Sequence, residues 1–212
     1  MDDASMGRPI ELDESRVIEN AMRACWARGV QAMTVAEMLE ATGLARSSFY
    51  NSYSTKEALV VKAIERYSEM NLAALREVLA GPSFRDIVNS LLARVIDDNH
   101  EGRGCLLLDT AVEGSTGQAA VGRVVQEGIA RKVQAIAERV VQAQRDGEVD
   151  PAAEPLHVAT SVCTMLAGLR TFTKAGLPRK WLRGAARQTA DALFPPGAKR
   201  PAQQRGRLER RR

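Results

Sequence analysis

Histidine is almost missing from this sequence: there are two in 212 residues, His100 and His157. Neither has an evident nucleophile or carboxylate partner, and no phosphate-binding glycine loop is present, so no catalytic residue and no cofactor is expected. Cysteine is equally sparse. Cys25, Cys105 and Cys163 are odd in number and far apart, which argues against a disulfide framework, fits a reducing cytoplasm, and offers no metal-ligand spacing. The opening residues MDDASMGRP are acidic and lack an apolar core, so no signal peptide is expected. No run of about 20 apolar residues could span a bilayer, so no membrane role is expected and the cytoplasm is the expected location. Aromatic residues make up only 4% of the chain, and no long alternation of apolar and polar residues argues for a sheet.

What is abundant favours helices. Ala, Arg, Leu, Val and Glu are among the commonest residues, and all of these but the β-branched Val lose little freedom in a helix. Apolar stripes and stop signals predict about nine helices in an all-α protein. The first spans about Asp13 to Arg28, with Val17, Ala21, Met22 and Cys25 on its inner face and Gly29 ending it. A long helix is expected from a Ser54/Glu57 capping box to Leu79, and Gly81-Pro82 stops it. Ser83 should cap a fifth helix reaching about His100, and the apolar run Cys105 to Leu108 should lead a sixth to Glu113. A second long helix is expected over Gly117 to Arg145, followed by a closing pair over Glu154 to Ala175 and Pro178 to Phe194.

The sharpest local signal is TVAEMLEATGLARSSFYNSYSTK, Thr34 to Lys56. Thr34 and Glu37 form an S/T-x-x-E capping box, so a short helix should start after Thr34. Val35, Met38 and Leu39 give it an apolar face, and Gly43 can end it in a left-handed conformation. Leu44 can fill the angle before a second short helix, Ala45 to Ser52. This is a helix-turn-helix whose second helix carries polar residues suited to a DNA groove.

Over roughly residues 12–60 this pattern resembles the DNA-binding segment of the TetR family of bacterial transcriptional regulators. Thr34, Val35, Ala36, Gly43, Leu44, Phe49-Tyr50, Tyr53, Lys56-Glu57 and Leu59 carry the likeness. Ala45 stands where the family often has a small hydroxyl residue, and Asn51 where histidine is common. The resemblance implies a three-helix DNA-binding domain, residues 1–56, and a helical ligand-binding and dimerisation domain, 57–194. The segment RGCLLLDTAVE is also similar to a Gly-Cys-Leu stretch in a subset of such regulators, some of which respond to oxidants or electrophiles.

The expected chemistry of the reading head follows from side-chain type. Arg46, Ser47 and Ser48 open the recognition helix, with Asn51 one turn on. Arg pairs with guanine, Asn with adenine, and Ser with several base edges. The hydroxyls of Thr34 and Tyr50 suit phosphate oxygens, and Lys56 adds a charge beside the amides of a helix start. The expected partner is double-stranded DNA, read at a palindromic operator by a homodimer. In the family, two copies of the closing hairpin make a four-helix dimer interface. Here that hairpin interleaves Ala159, Ala167, Gly168, Ala185 and Ala186 with larger apolar residues.

The low aromatic content suggests an aliphatic cavity among the later helices. Its expected lining is Leu91, Val95, Cys105, Leu108, Val112, Val125, Ile129 and Cys163, and its expected occupant is a small apolar or electrophilic inducer. Cys25 and Cys163 read as small buried hydrophobes. Cys105 stays open between that reading and a sensing thiol, since it begins a helix near Arg103 and His100. The segment 195–212 carries seven cations against Glu209, a charge of +6 that leaves −2 on the rest. It reads as a disordered tail, either a plain solubilising end or a segment that contacts phosphates without reading sequence. A second functional reading is an assembly protein that decorates DNA with the same fold and takes no small molecule.

Overall fold

A computed structural model of the chain describes residues 13–97, 103–114 and 119–194. His100 and the basic tail lie outside these residues. Among the described residues there are nine α-helices and no strand: α1 Glu14–Arg28, α2 Val35–Thr42, α3 Arg46–Tyr53, α4 Lys56–Leu79, α5 Phe84–Asp97, α6 Leu106–Val112, α7 Ala119–Arg145, α8 Pro155–Lys174 and α9 Arg179–Leu193.

The helix ends follow from local chemistry. The Thr34 hydroxyl accepts from the Glu37 amide while the Glu37 carboxylate accepts from the Thr34 amide, which completes the capping box. Gly43 takes φ +72° and closes α2, a conformation that costs glycine little. The long helix departs from expectation by one residue: Thr55, not Ser54, is its cap. Ser54 lies at φ 59°, so the extended backbone needed for capping falls to Thr55. Ser83 caps α5 as expected, accepting from the Asp86 amide.

Two apolar cores form, divided within α4. The first gathers Met22, Cys25, Met38, Phe49, Tyr53 and Ile64 from α1 to α4 with Leu106 and Leu107 of α6 and Val121, Val124 and Val125 of α7. The second gathers Leu75, Phe84, Ile87, Ile136, Val162, Leu182 and Phe194 from α4, α5 and α7 to α9. The three-helix unit therefore shares its core with α6 and α7 as well as with α4. Gly128 lets α7 pack closely on α4 and α6: a Cβ there would lie 2.8 Å from Ser68 Oγ and 3.1 Å from a Leu107 methyl.

Candidate nucleic-acid interface and ligand cavity

Helix α3 buries Phe49 and Tyr53 and turns its polar face outward. Arg46, Ser47 and Asn51 are exposed and Ser48 is half-buried. Tyr50 is 44% exposed and stands edge-on to Phe49, with ring centroids 5.1 Å apart. Phe49 thus anchors the helix from below and orients the ring that projects from it. The array of Arg, Ser, Asn and Tyr on one exposed eight-residue helix has the size and chemistry to enter a major groove.

Two expected DNA contacts have internal partners. The Thr34 hydroxyl donates to Glu37 Oε2 at 2.7 Å, so its proton serves the cap rather than a phosphate. Its visible task is to start α2. Lys56 Nζ donates to the Met33 carbonyl oxygen and so ties the start of α4 to the entry of α2. Its remaining N–H groups stay available, because the residue is only half-buried.

A cavity of about 560 Å³ opens among five helices. Leu91, Val95, Cys105, Leu108, Ile129 and Cys163 of the expected lining meet there. Val112 and Val125 do not. Val112 lies one turn beyond Leu108 at the end of α6 and is 88% exposed. Val125 lies one turn before Ile129 on α7 and packs into the first core instead. The helical spacing of the lining is regular: Asn71, Leu75 and Val78 on α4, Ile129, Lys132 and Ile136 on α7, Cys163, Leu166, Ala167 and Arg170 on α8. The polar members Asn71, Arg94, Asp97, Lys132 and Arg170 were not among the expected lining. A charge set inside an apolar stripe, as Lys132 is between Ile129 and Ile136, was the available signal.

Cys105 occupies the cap position before α6 without a side-chain capping bond. It is buried at 4% exposure yet forms part of the cavity wall. Beside it, Tyr67 has its hydroxyl pKa pushed far up by burial and by the adjacent Cys105 thiol, with which it shares a hydrogen bond. Burial likewise pushes the Cys25 thiol up to about 11 and raises that of Cys163, where the nearby Lys132 ammonium offsets part of the shift.

Helix α6 joins this wall to the reading head at both ends. At its start, the Gly104 carbonyl accepts from Trp26 Nε1 of α1 and from Arg170 Nη1 of α8, each at 3.1 Å. At its end, Glu113 Oε2 accepts from the amides of Val30 and Gln31, which lead into α2. Neither contact had a local sequence signal, since the partners are 66 to 83 residues apart.

The closing hairpin leaves an apolar surface. Leu156, Phe172 and Trp181 are 45%, 51% and 68% exposed. A Cβ added at Gly168 or Gly184 would meet no atom within 4 Å, so both glycines face open space on α8 and α9. No described helix is long and apolar enough to cross a membrane, and no described group of His, Cys, Asp and Glu could hold a metal.

Comparison with known proteins adds independent findings. A family model described as bacterial regulatory proteins, tetR family, matches residues 17–63. A second, described as tetracyclin repressor-like, C-terminal domain, matches residues 82–188. The chain is 22% identical over 178 residues to the HTH-type transcriptional repressor ComR of Escherichia coli K12, covering 81% of this chain and 84% of that protein. Among solved structures, it is similar to the TetR family transcriptional regulator CifR, a cysteine-substituted variant in complex with double-strand operator DNA. The TM-score is 0.77 and the identity 26%, over 89% of this chain and 100% of that one. The reduced form of Escherichia coli NemR shares the fold, with a TM-score of 0.77 at 18% identity over 87% of this chain and 98% of that one.

Proposed function

Because the chain belongs to the TetR family of bacterial transcriptional regulators, we propose that it is a ligand-responsive repressor, released from a palindromic operator by a small apolar or electrophilic inducer. It is a DNA-binding regulator and not an enzyme. The similar CifR variant was solved on operator DNA, which supports the same partner here. The reading head extends through Lys56, and residues 57–194 bind the inducer and pair two chains. The protein acts in the cytoplasm, where its DNA is.

The observation that carries the proposal is that α4 and α6 each touch both the cavity and the reading head. Helix α4 walls the cavity with Asn71, Leu75 and Val78, and at its start Lys56 holds Met33. Helix α6 walls it with Leu107 and Leu108, and just past its end Glu113 holds Val30. A ligand that favours a shifted α6 or α4 must therefore shift the angle of α2 and α3. In a symmetric dimer that shift changes the spacing of the two recognition helices, and operator affinity falls by the ligand's preference for the shifted state. An electrophile reaches the same end if the Cys105 thiolate bonds to it and the adduct enlarges that wall.

The dimer forms through α8 and α9. Phe172 and Trp181 supply apolar area, and Gly168 and Gly184 let the partner's helices approach. A genome-wide binding map, combined with transcript levels in a deletion strain, tests the reading. Transcripts beside bound palindromes should rise on deletion. A fall would make the protein an activator, and binding without palindromes would remove the operator model.

A further inference from the structure

We infer that the cavity takes an anionic amphipath: a molecule with one acidic head group on an aliphatic body. The inference rests on the ligand-responsive reading above and narrows its chemistry.

The walls are apolar in the main, with Leu75, Val78, Leu91, Ile136 and Leu166 contributing. Among the described lining residues, Arg94, Lys132 and Arg170 are cationic and Asp97 is the one carboxylate. Asp97 is already engaged, since its Oδ1 accepts from Arg183 of α9 at 2.6 Å. Lys132 is half-buried, and its ammonium donates only to the neutral Asn71 amide oxygen, at a long 3.4 Å. A half-buried ammonium answered by a neutral amide is poorly compensated, and an anion delivered to it gains a charge-assisted hydrogen bond.

The placement of these groups sets the orientation. Asn71 and Lys132 meet across α4 and α7. From there Leu75 and Val78 continue one and two turns along α4, and Ile136 one turn along α7. The head group belongs at Lys132, with Arg170 of α8 beside the adjoining Cys105 wall, and the aliphatic body runs toward Leu75 and Ile136. A neutral apolar molecule fills the same space but leaves Lys132 unanswered, and a cationic one adds repulsion.

Calorimetric titration of the full-length protein with decanoate, decanol and decylamine, below micelle formation, tests this. Decanoate should bind at least tenfold more tightly than decanol, and decylamine should not bind. Lys132→Met should cut decanoate affinity about tenfold and leave decanol unchanged, a head-group effect that loss of folding would not produce. Ala167→Phe, which intrudes on the cavity, should abolish both. Equal binding of decanoate and decanol, failure of all three to bind, or a Lys132→Met protein with full preference for decanoate would overturn the inference. Decanoate binding that follows these rules yet leaves DNA affinity unchanged would instead uphold the site and overturn the ligand-responsive reading.

Discussion

Glu113 Oε2 accepts a hydrogen bond from the backbone amide of Val30 at 3.1 Å, across 83 residues of sequence. The same oxygen accepts from Gln31, so one carboxylate just past α6 holds the strand of chain that enters α2. Gly29 makes this possible. It has φ +87°, and a Cβ on it would lie 2.5 Å from Glu113 Oε1. Any side chain at position 29 would push the carboxylate away.

Glu113→Ala should therefore uncouple the cavity from the reading head. The expected loss of stability is modest, about 1 kcal/mol, because the site is open to water. Cavity-ligand affinity should remain, while the factor by which that ligand weakens operator binding should shrink several-fold. Titration of ligand with and without operator measures the factor directly. An unchanged factor would assign the coupling to α4 and to the Gly104–Trp26 contact at the start of α6.

In the reading head, Arg46→Ala should cost roughly 1–3 kcal/mol on the preferred site and relax the base preference there. Lys56→Ala should weaken binding to all sequences and lower the salt slope by about one unit. The Met33 contact of Lys56 adds an expectation: the variant should also melt earlier, because α2 and α4 lose a tie. A Lys56→Ala protein with an altered base preference would show that Lys56 reads sequence.

Trp181→Ala and Phe172→Ala should leave the fold of one chain intact, since both side chains are largely exposed. If they anchor the dimer, each should raise the dimer dissociation constant at least about thirtyfold, the scale of an interface hot spot. Analytical ultracentrifugation reads this out. Unchanged association in both variants would move the interface off this hairpin.

The cysteines should separate by reactivity. Burial pushes the Cys25 thiol from its ordinary value of 9.0 to about 11, so it should resist alkylation near pH 8 until the protein unfolds. The unfolded chain releases this proton first. The stability it confers is therefore full below pH 9 and is lost as the pH rises toward about 11. The alkaline loss of melting temperature should be shallower in Cys25→Ala. Cys105→Ser should bind DNA normally and lose release by electrophiles, whereas Cys25→Ser should respond like the parent. Normal electrophile release in Cys105→Ser would return Cys105 to the buried, inert thiols.

The helices and the turn were legible because their causes are local. Thr34, Glu37 and Gly43 form a cap and a stop within ten residues, and the apolar stripes repeat at helical spacing. The misplaced cap at Ser54 shows the limit: adjacent hydroxyls compete, and the backbone decides, with Ser54 at a positive φ and Thr55 extended. The cavity lining was legible where a residue sat mid-helix on an inner face. It failed at Val112, where α6 ends and its last turn reaches solvent, and at Val125, one turn too early on α7. The Glu113 and Gly104 contacts were invisible because each joins segments that meet only in the folded chain.

The central claim is that two of these reading heads, held by paired hairpins, recognise an inverted repeat. In vitro selection of bound sites from random duplex DNA by the full-length protein tests it most directly, run in parallel with Arg46→Ala. The account predicts an enriched palindrome with two equivalent half-sites, in which Arg46→Ala relaxes the same position in both. Enrichment of a single unpaired site, or of no sequence at all, would contradict it.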